Sequence, residues 1–219
     1  MQVVPTTLEK TVDSLFVQIY NLLPYFKIFQ IDISDGLYTP NKTVQIEEIM
    51  SYKTQSINQV TFDFHLMVKD YETEIQKLKI LKGQVNIDNI FIHYSLFPDY
   101  ESLSEKYPEF RFGLVINVQD SVELFAKRYP NTSLPLIQLM TIDLGYQSLP
   151  FKPEMLQKIE QLKNLGYRSK IFIDGGINDK TLPFILSQEY KPDVLVIGSF
   201  LIRAENLKQR VDYLKEKVK

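Results

Sequence analysis

The sequence predicts an α/β fold in which eight parallel strands close into a barrel with helices outside. Three observations carry that prediction. Short β-branched apolar runs of strand length recur eight times along 219 residues. Segments with helical spacing of apolar residues lie between them. The strand runs are apolar at successive positions, as expected of strands covered on both faces. A doubly wound open sheet is the competing architecture, but it needs a topological switch point and more often has fewer strands. The expectation is therefore one (β/α)8 TIM-barrel domain spanning residues 1–219.

The elements follow in order. QVV (2–4) is a short first run, and KIFQID (27–32) is the second. NKTVQIEEIMSY then carries helical spacing and leads to QVTFDFH (59–65). YETEIQKLKIL is again helical, and NIFIH (89–93) and FRFGLVIN (110–117) continue the series. SVELFAKRY is a third helical segment, placed before LPLIQLM (134–140). PEMLQKIEQLKNL has the marks of a helix start, with Pro153 near the first position and Glu154 in the first turn. Gly166 follows as its stop. KIFID (170–174) and DVLVIG (193–198) complete the eight.

Composition narrows the function classes. The 25 Lys and Arg nearly cancel the 27 Asp and Glu, leaving a formal charge of −2. No basic cluster stands out, and the lysines of ENLKQRVDYLKEKVK alternate with acids as on a solvated helix face. No nucleic-acid partner is expected. There are no cysteines, which excludes disulfides and thiolate metal sites. MQVVPTTLEKTVDSLF lacks a basic segment followed by a long apolar one, and no run approaches the length of a membrane span. A soluble cytoplasmic protein without membrane contact is the expectation.

In a barrel of this kind the chemistry sits at the C-terminal ends of the strands. Those ends hold Thr6, Gln30 with Asp32, His65, His93, Asn117, Met140 with Thr141, Asp174, and Gly198 with Ser199. Each has a bland explanation alone: a strand-end aspartate commonly caps a helix or forms a turn, and a strand-end histidine is commonly structural. Their convergence is the informative feature, since both histidines of the chain end strands. Asp32, His65 and Asp174 form an oxygen–nitrogen–oxygen set of the type that binds Zn²⁺, Mn²⁺ or Fe²⁺. Two carboxylates flanking a metal can also act as acid and base. Gly175 and Gly176 after the seventh run, with Gly198 and Ser199 after the eighth, suit a phosphate whose oxygens accept backbone N–H groups.

The motifs QIDISDGLYTPN (30–41), DFHLMV (63–68), MTI (140–142), DGGI (174–177) and GS (198–199) resemble those of the ribulose-phosphate 3-epimerase family. That resemblance implies a ribulose-phosphate-binding type of barrel and interconversion of D-ribulose 5-phosphate with D-xylulose 5-phosphate, as in the pentose phosphate pathway. It implies proton transfer at C3 between Asp32 and Asp174, with a divalent ion steadying the enediolate. The ion's ligands would be Asp32, His65, Asp174 and Gln30, the last a weak donor in place of a family histidine. Met67 and Met140 match methionines that pack around the enediolate. Gly145, Gly176, Gly198 and Ser199 match phosphate-binding positions. Ser34 stands where the family has a third methionine, and DLGYQS (143–148) shortens the family's loop after strand six. Family members are often oligomers, so a homo-oligomer is expected. Two other readings stay open: a non-catalytic barrel that binds a sugar phosphate or a protein, and a related enzyme such as a hexulose-phosphate epimerase or a metal-dependent aldolase.

Overall fold

Eight strands close on themselves in sequence order: β1 (Gln2–Thr7), β2 (Ile28–Ser34), β3 (Thr61–Met67), β4 (Asn86–His93), β5 (Arg111–Ile116), β6 (Leu136–Met140), β7 (Lys170–Asp174) and β8 (Val194–Ile197). The computed structural model describes residues 1–52, 59–130, 134–144 and 149–218. Helices follow the strands as α1 (Val12–Leu22), α2 (Ile46–Ser51), α3 (Tyr71–Leu81), α4 (Tyr100–Lys106), α5 (Val122–Arg128), α6 (Gln157–Asn164), α7 (Leu182–Leu186), α8 (Ser199–Ile202) and α9 (Leu207–Lys217). The chain is a (β/α)8 TIM barrel. Among the described residues no helix is long and apolar enough to cross a membrane.

Local chemistry explains where helices begin. Thr11, Asp70, Asp99, Ser121 and Asn206 each accept a backbone N–H of the first turn of α1, α3, α4, α5 and α9. Each such cap contributes about 1 kcal/mol. Gly166 ends α6 with φ +90°, a conformation that favours glycine.

The chain forms two compact units. One comprises Pro5–Ile92 and Pro98–Phe112. Its core gathers Phe16, Ile19, Phe29, Ile31, Phe62, Phe64, Ile75 and Leu78, all buried. Phe16 stacks on Tyr52 at 4.4 Å between ring centroids. The other comprises Met1–Val4, His93–Phe97 and Gly113–Lys219. There Phe125 meets Tyr94, Tyr129 and Tyr167, at centroid distances of 5.4, 5.4 and 5.7 Å. Gln2 donates its backbone N–H to Asp193 O at 2.9 Å, tying the start of β1 to the strand entering β8.

Most boundaries differ from the sequence expectation by a few residues, β3 ending at Met67 and β4 beginning at Asn86 among them, and three differences have a visible cause. β1 runs on through Pro5 to Thr7, because parallel pairing of Thr6 with Gln30 and Thr7 with Ile31 extends it beyond the expected 2–4. The helix expected from residue 41 begins at Ile46, since Thr43 and Gln45 are engaged by the end of β2. The helix expected from Pro153 opens as a 3-10 turn, Pro153–Leu156, before α6.

Candidate active site

β2 alternates Phe29, Ile31 and Ile33 with Gln30, Asp32 and Ser34, so one face carries apolar side chains and the other polar ones. All six are buried. In-register parallel pairing sets Asp32 beside His65 on β3 and Gln30 beside Thr6 on β1. The Asp32 carboxylate collects these neighbours. Thr6 Oγ1 donates to Oδ2 at 3.0 Å, and Gln30 Nε2 donates to Oδ1 at 3.0 Å. His65 Nδ1 lies 3.3 Å from the same Oδ1. A buried carboxylate held by several donors keeps its orientation and its acceptor capacity satisfied.

Asp174, the last residue of β7, has a matching environment. Gln138 on β6 donates Nε2 to Asp174 Oδ2 at 3.1 Å. Thr141 fixes the backbone at that point, its N–H and Oγ1 reaching Asp174 O at 2.7 and 3.0 Å. Met140 pairs with Asp174 across the β6–β7 ladder. Gln138 did not stand out in the sequence; its signal is one amide inside the apolar run LPLIQLM, the same kind of signal that marks Gln30.

Asp32 and His65 are neighbours on β2 and β3, Asp174 ends β7, and all three residues are buried. Two carboxylate oxygens and one imidazole nitrogen suit Mn²⁺, Fe²⁺ or Zn²⁺, so these residues fit a divalent ion. Gln30 has its amide nitrogen turned to Asp32.

The loop after β2 is held by side chains of its own. Ser34 Oγ shares a hydrogen bond with Thr39 Oγ1 at 2.6 Å and also donates to Asn41 O. Thr43 Oγ1 donates to Asp32 O at 2.9 Å and accepts from Ser34 N at 2.8 Å. Asp35 accepts from the backbone N–H groups of Leu37, Tyr38 and Lys69, at 2.7, 2.8 and 2.8 Å, which staples the loop to the end of β3. Burial works against the Asp35 carboxylate. The donors from Tyr38, Lys69 and Leu37 outweigh it and hold the group below the ordinary aspartate range. Ser34 therefore has a structural task that a methionine could not perform.

The remaining candidates fall at strand ends. Met67 closes β3 and Met140 closes β6, both buried. His93 closes β4, and Asn117 follows β5. Gly198 precedes α8 and Ser199 is its first residue. Gly175 and Gly176 follow β7 with φ +118° and +67°. A Cβ at Gly175 would sit 2.5 Å from Ile142 Cγ1, and one at Gly176 would sit 3.1 Å from Phe151 Cβ. Packing alone thus requires glycine at Gly175. Gly145, with most of the DLGYQS loop, lies outside the described residues.

The family model for the ribulose-phosphate 3-epimerase family matches residues 3–202. The chain is similar to ribulose-phosphate 3-epimerase of Methanocaldococcus jannaschii, at 26% identity over 86% of this chain and 78% of that protein. It resembles the Schizosaccharomyces pombe enzyme of the same name at 22% identity, over 99% of this chain and 93% of that protein. Among solved structures, 3-hexulose-6-phosphate synthase from Salmonella typhimurium superposes with a TM-score of 0.70 at 12% identity, covering 100% of this chain and 98% of that one. KGPDC from Streptococcus mutans, solved in complex with D-R5P, gives 0.67 at 10% identity, covering 99% and 96%. These two share the fold. The motif-bearing strand ends and the match along nearly the whole sequence agree: the chain belongs to the ribulose-phosphate 3-epimerase family.

Proposed function

We propose that the protein is a metal-assisted sugar-phosphate 3-epimerase that interconverts D-ribulose 5-phosphate and D-xylulose 5-phosphate. The observation that carries this reading is the buried Asp32–His65 pair, with Nδ1 3.3 Å from Oδ1, in a chain of this family. One aspartate takes the C3 proton as a base. The C–H electron pair moves into an enediolate, and the other aspartate, as an acid, returns a proton to the opposite face of C3. Positioned acid–base groups of this kind contribute about 10²–10⁴ in rate. An ion held by Asp32, His65 and Asp174 would supply positive charge beside the developing enediolate oxygens. Thr6 and Gln30 hold Asp32, Gln138 and Thr141 hold Asp174, and Met67 and Met140 are assigned to the apolar surface around the enediolate. Gly145, Gly175, Gly176, Gly198 and Ser199 are assigned to the phosphate, and a homo-oligomer is part of the same reading. Support for a phosphorylated sugar comes from the relatives' names and from the fold relative solved with D-R5P.

The competing reading, a barrel that binds a sugar phosphate without turning it over, draws on Gln30 in place of a histidine. The deciding experiment follows C3 of ribulose 5-phosphate by NMR in D2O, with Mn²⁺, Zn²⁺ or Fe²⁺ added to protein purified without chelator. Deuterium at C3 together with xylulose 5-phosphate supports the epimerase. Saturable binding of the sugar phosphate with no exchange under any metal supports the binding protein.

A further inference from the structure

We propose that Gln138 is a positioning residue for Asp174, orienting its carboxylate toward a divalent ion. The inference rests on the metal-assisted reading above and extends it to a residue on a strand with no ligand of its own.

Gln138 is the single polar side chain of β6, which reads Leu136, Ile137, Gln138, Leu139, Met140, and it is wholly buried. It pairs with Phe172 across the ladder, which places Asp174 two residues further along β7, on the diagonal a long side chain can reach. An ionised carboxylate only accepts hydrogen bonds, so the nitrogen of the Gln138 amide must face Asp174, as it does at 3.1 Å from Oδ2. That bond turns Oδ2 toward β6 and so fixes how Oδ1 is presented. The same Nε2 lies 3.8 Å from Met140 Sδ, so the amide is steadied from the strand's own end.

The other half of the amide opposes the stability that its nitrogen supplies. Gln138 Oε1 is buried with no hydrogen-bond partner among the described residues. A buried carbonyl oxygen left without a donor is unfavourable, and an apolar side chain of similar size would remove that penalty. A local feature that opposes stability next to a functional carboxylate is what a site residue looks like. On β2, Gln30 presents the same donor to Asp32 at 3.0 Å. The two proposed proton-transfer groups thus each carry one glutamine N–H.

The test compares wild type with Gln138→Leu and Gln138→Met, two apolar replacements of similar volume, so that a packing failure in one does not decide the outcome. Three quantities are read: the thermal midpoint of chelator-treated protein, the dissociation constant for Mn²⁺ alone by EPR of the free ion, and kcat and KM for ribulose 5-phosphate. The expected result is Mn²⁺ binding weakened at least about tenfold in the folded fraction, and kcat lowered at least about tenfold with KM little changed. A merely structural residue would instead lower the midpoint and leave Mn²⁺ binding of the folded fraction intact, which overturns the proposal. So does wild-type Mn²⁺ affinity and turnover in both variants. Wild type that neither binds Mn²⁺ nor turns over the sugar phosphate would sink the epimerase reading itself, and this inference with it. That result is distinct from an active wild type matched by its variants.

Discussion

Gln30 and Asp32 stand two residues apart on one face of β2, and the glutamine amide donates to Asp32 Oδ1 at 3.0 Å. The glutamine therefore acts on a neighbouring ligand candidate through its nitrogen, and a metal ligand at this position would have to act through another atom. An imidazole in its place offers a ring nitrogen, a better donor to Zn²⁺ than an amide oxygen. Gln30→His is expected to bind Zn²⁺ at least about tenfold more tightly than wild type, read by competition with a chromophoric chelator. Weaker binding in the variant would show that the bond to Asp32 contributes more than the added nitrogen does.

The two aspartates make a sharper prediction together than either does alone. If each serves one face of C3, Asp32→Asn and Asp174→Asn should each lower net epimerisation by about 10²-fold or more. Their residual solvent exchange should differ in kind. One variant should exchange deuterium into ribulose 5-phosphate and the other into xylulose 5-phosphate, because each keeps a base for one epimer. Equal exchange into both epimers from either variant would rule out a two-base division of labour.

The fold and the ends of its strands were legible because they depend on local pattern. Doubly covered strands must be apolar on both faces, so KIFID and DVLVIG mark β7 and β8 almost to the residue. Polar residues that interrupt such runs, as Gln30 and Asp32 do, stand out for the same reason. What stayed hidden depends on partners distant in sequence. Gln138 matters because Asp174 lies 36 residues away, and a lone glutamine in an apolar run announces no partner. Ser34 reads as a lost methionine until its hydroxyl is seen hydrogen-bonded to Thr39 Oγ1 and to Asn41 O. The stretch from 41 to 45 has helical spacing, yet hydrogen bonds to Ser34 and Asp32 win over propensity there.

Gly175 separates a packing role from a phosphate role. A Cβ there would overlap Ile142 Cγ1 at 2.5 Å, on a backbone with φ +118° that side chains rarely adopt. Gly175→Ala should destabilise the protein by about 1–3 kcal/mol. Ile142→Ala removes the Cγ1 and Cδ1 atoms that the new Cβ would meet, and on that background Gly175→Ala should cost less, though not less by the share due to φ. Urea unfolding of the four proteins in a double-mutant cycle measures the coupling. Additive losses would mean that Ile142 is not what excludes a side chain at 175.

Asp63 gives the stability of the barrel a pH dependence of predictable sign. It is buried on β3, and burial pushes its pKa up to about 6 from 3.8, against the pull of the Asn89 donors. Those donors are the Asn89 backbone N–H at 3.2 Å and its side-chain amide at 2.8 Å, both reaching Oδ1. Between the two pKa values the folded chain holds a proton that the unfolded chain has released. The group's contribution is therefore complete below about pH 4, and it is lost as pH rises through 6. The full difference, 6 − 3.8 = 2.2 units, corresponds to roughly 3 kcal/mol. Asp63→Asn keeps an oxygen that can accept both Asn89 donors and carries no charge at any pH. The variant should gain on wild type steadily between pH 4 and pH 7, by up to roughly 3 kcal/mol, in urea unfolding of chelator-treated protein. A gap between the two proteins that does not change with pH would mean that Asp63 titrates alike in the folded and unfolded chains, and that the donors from Asn89 offset its burial completely.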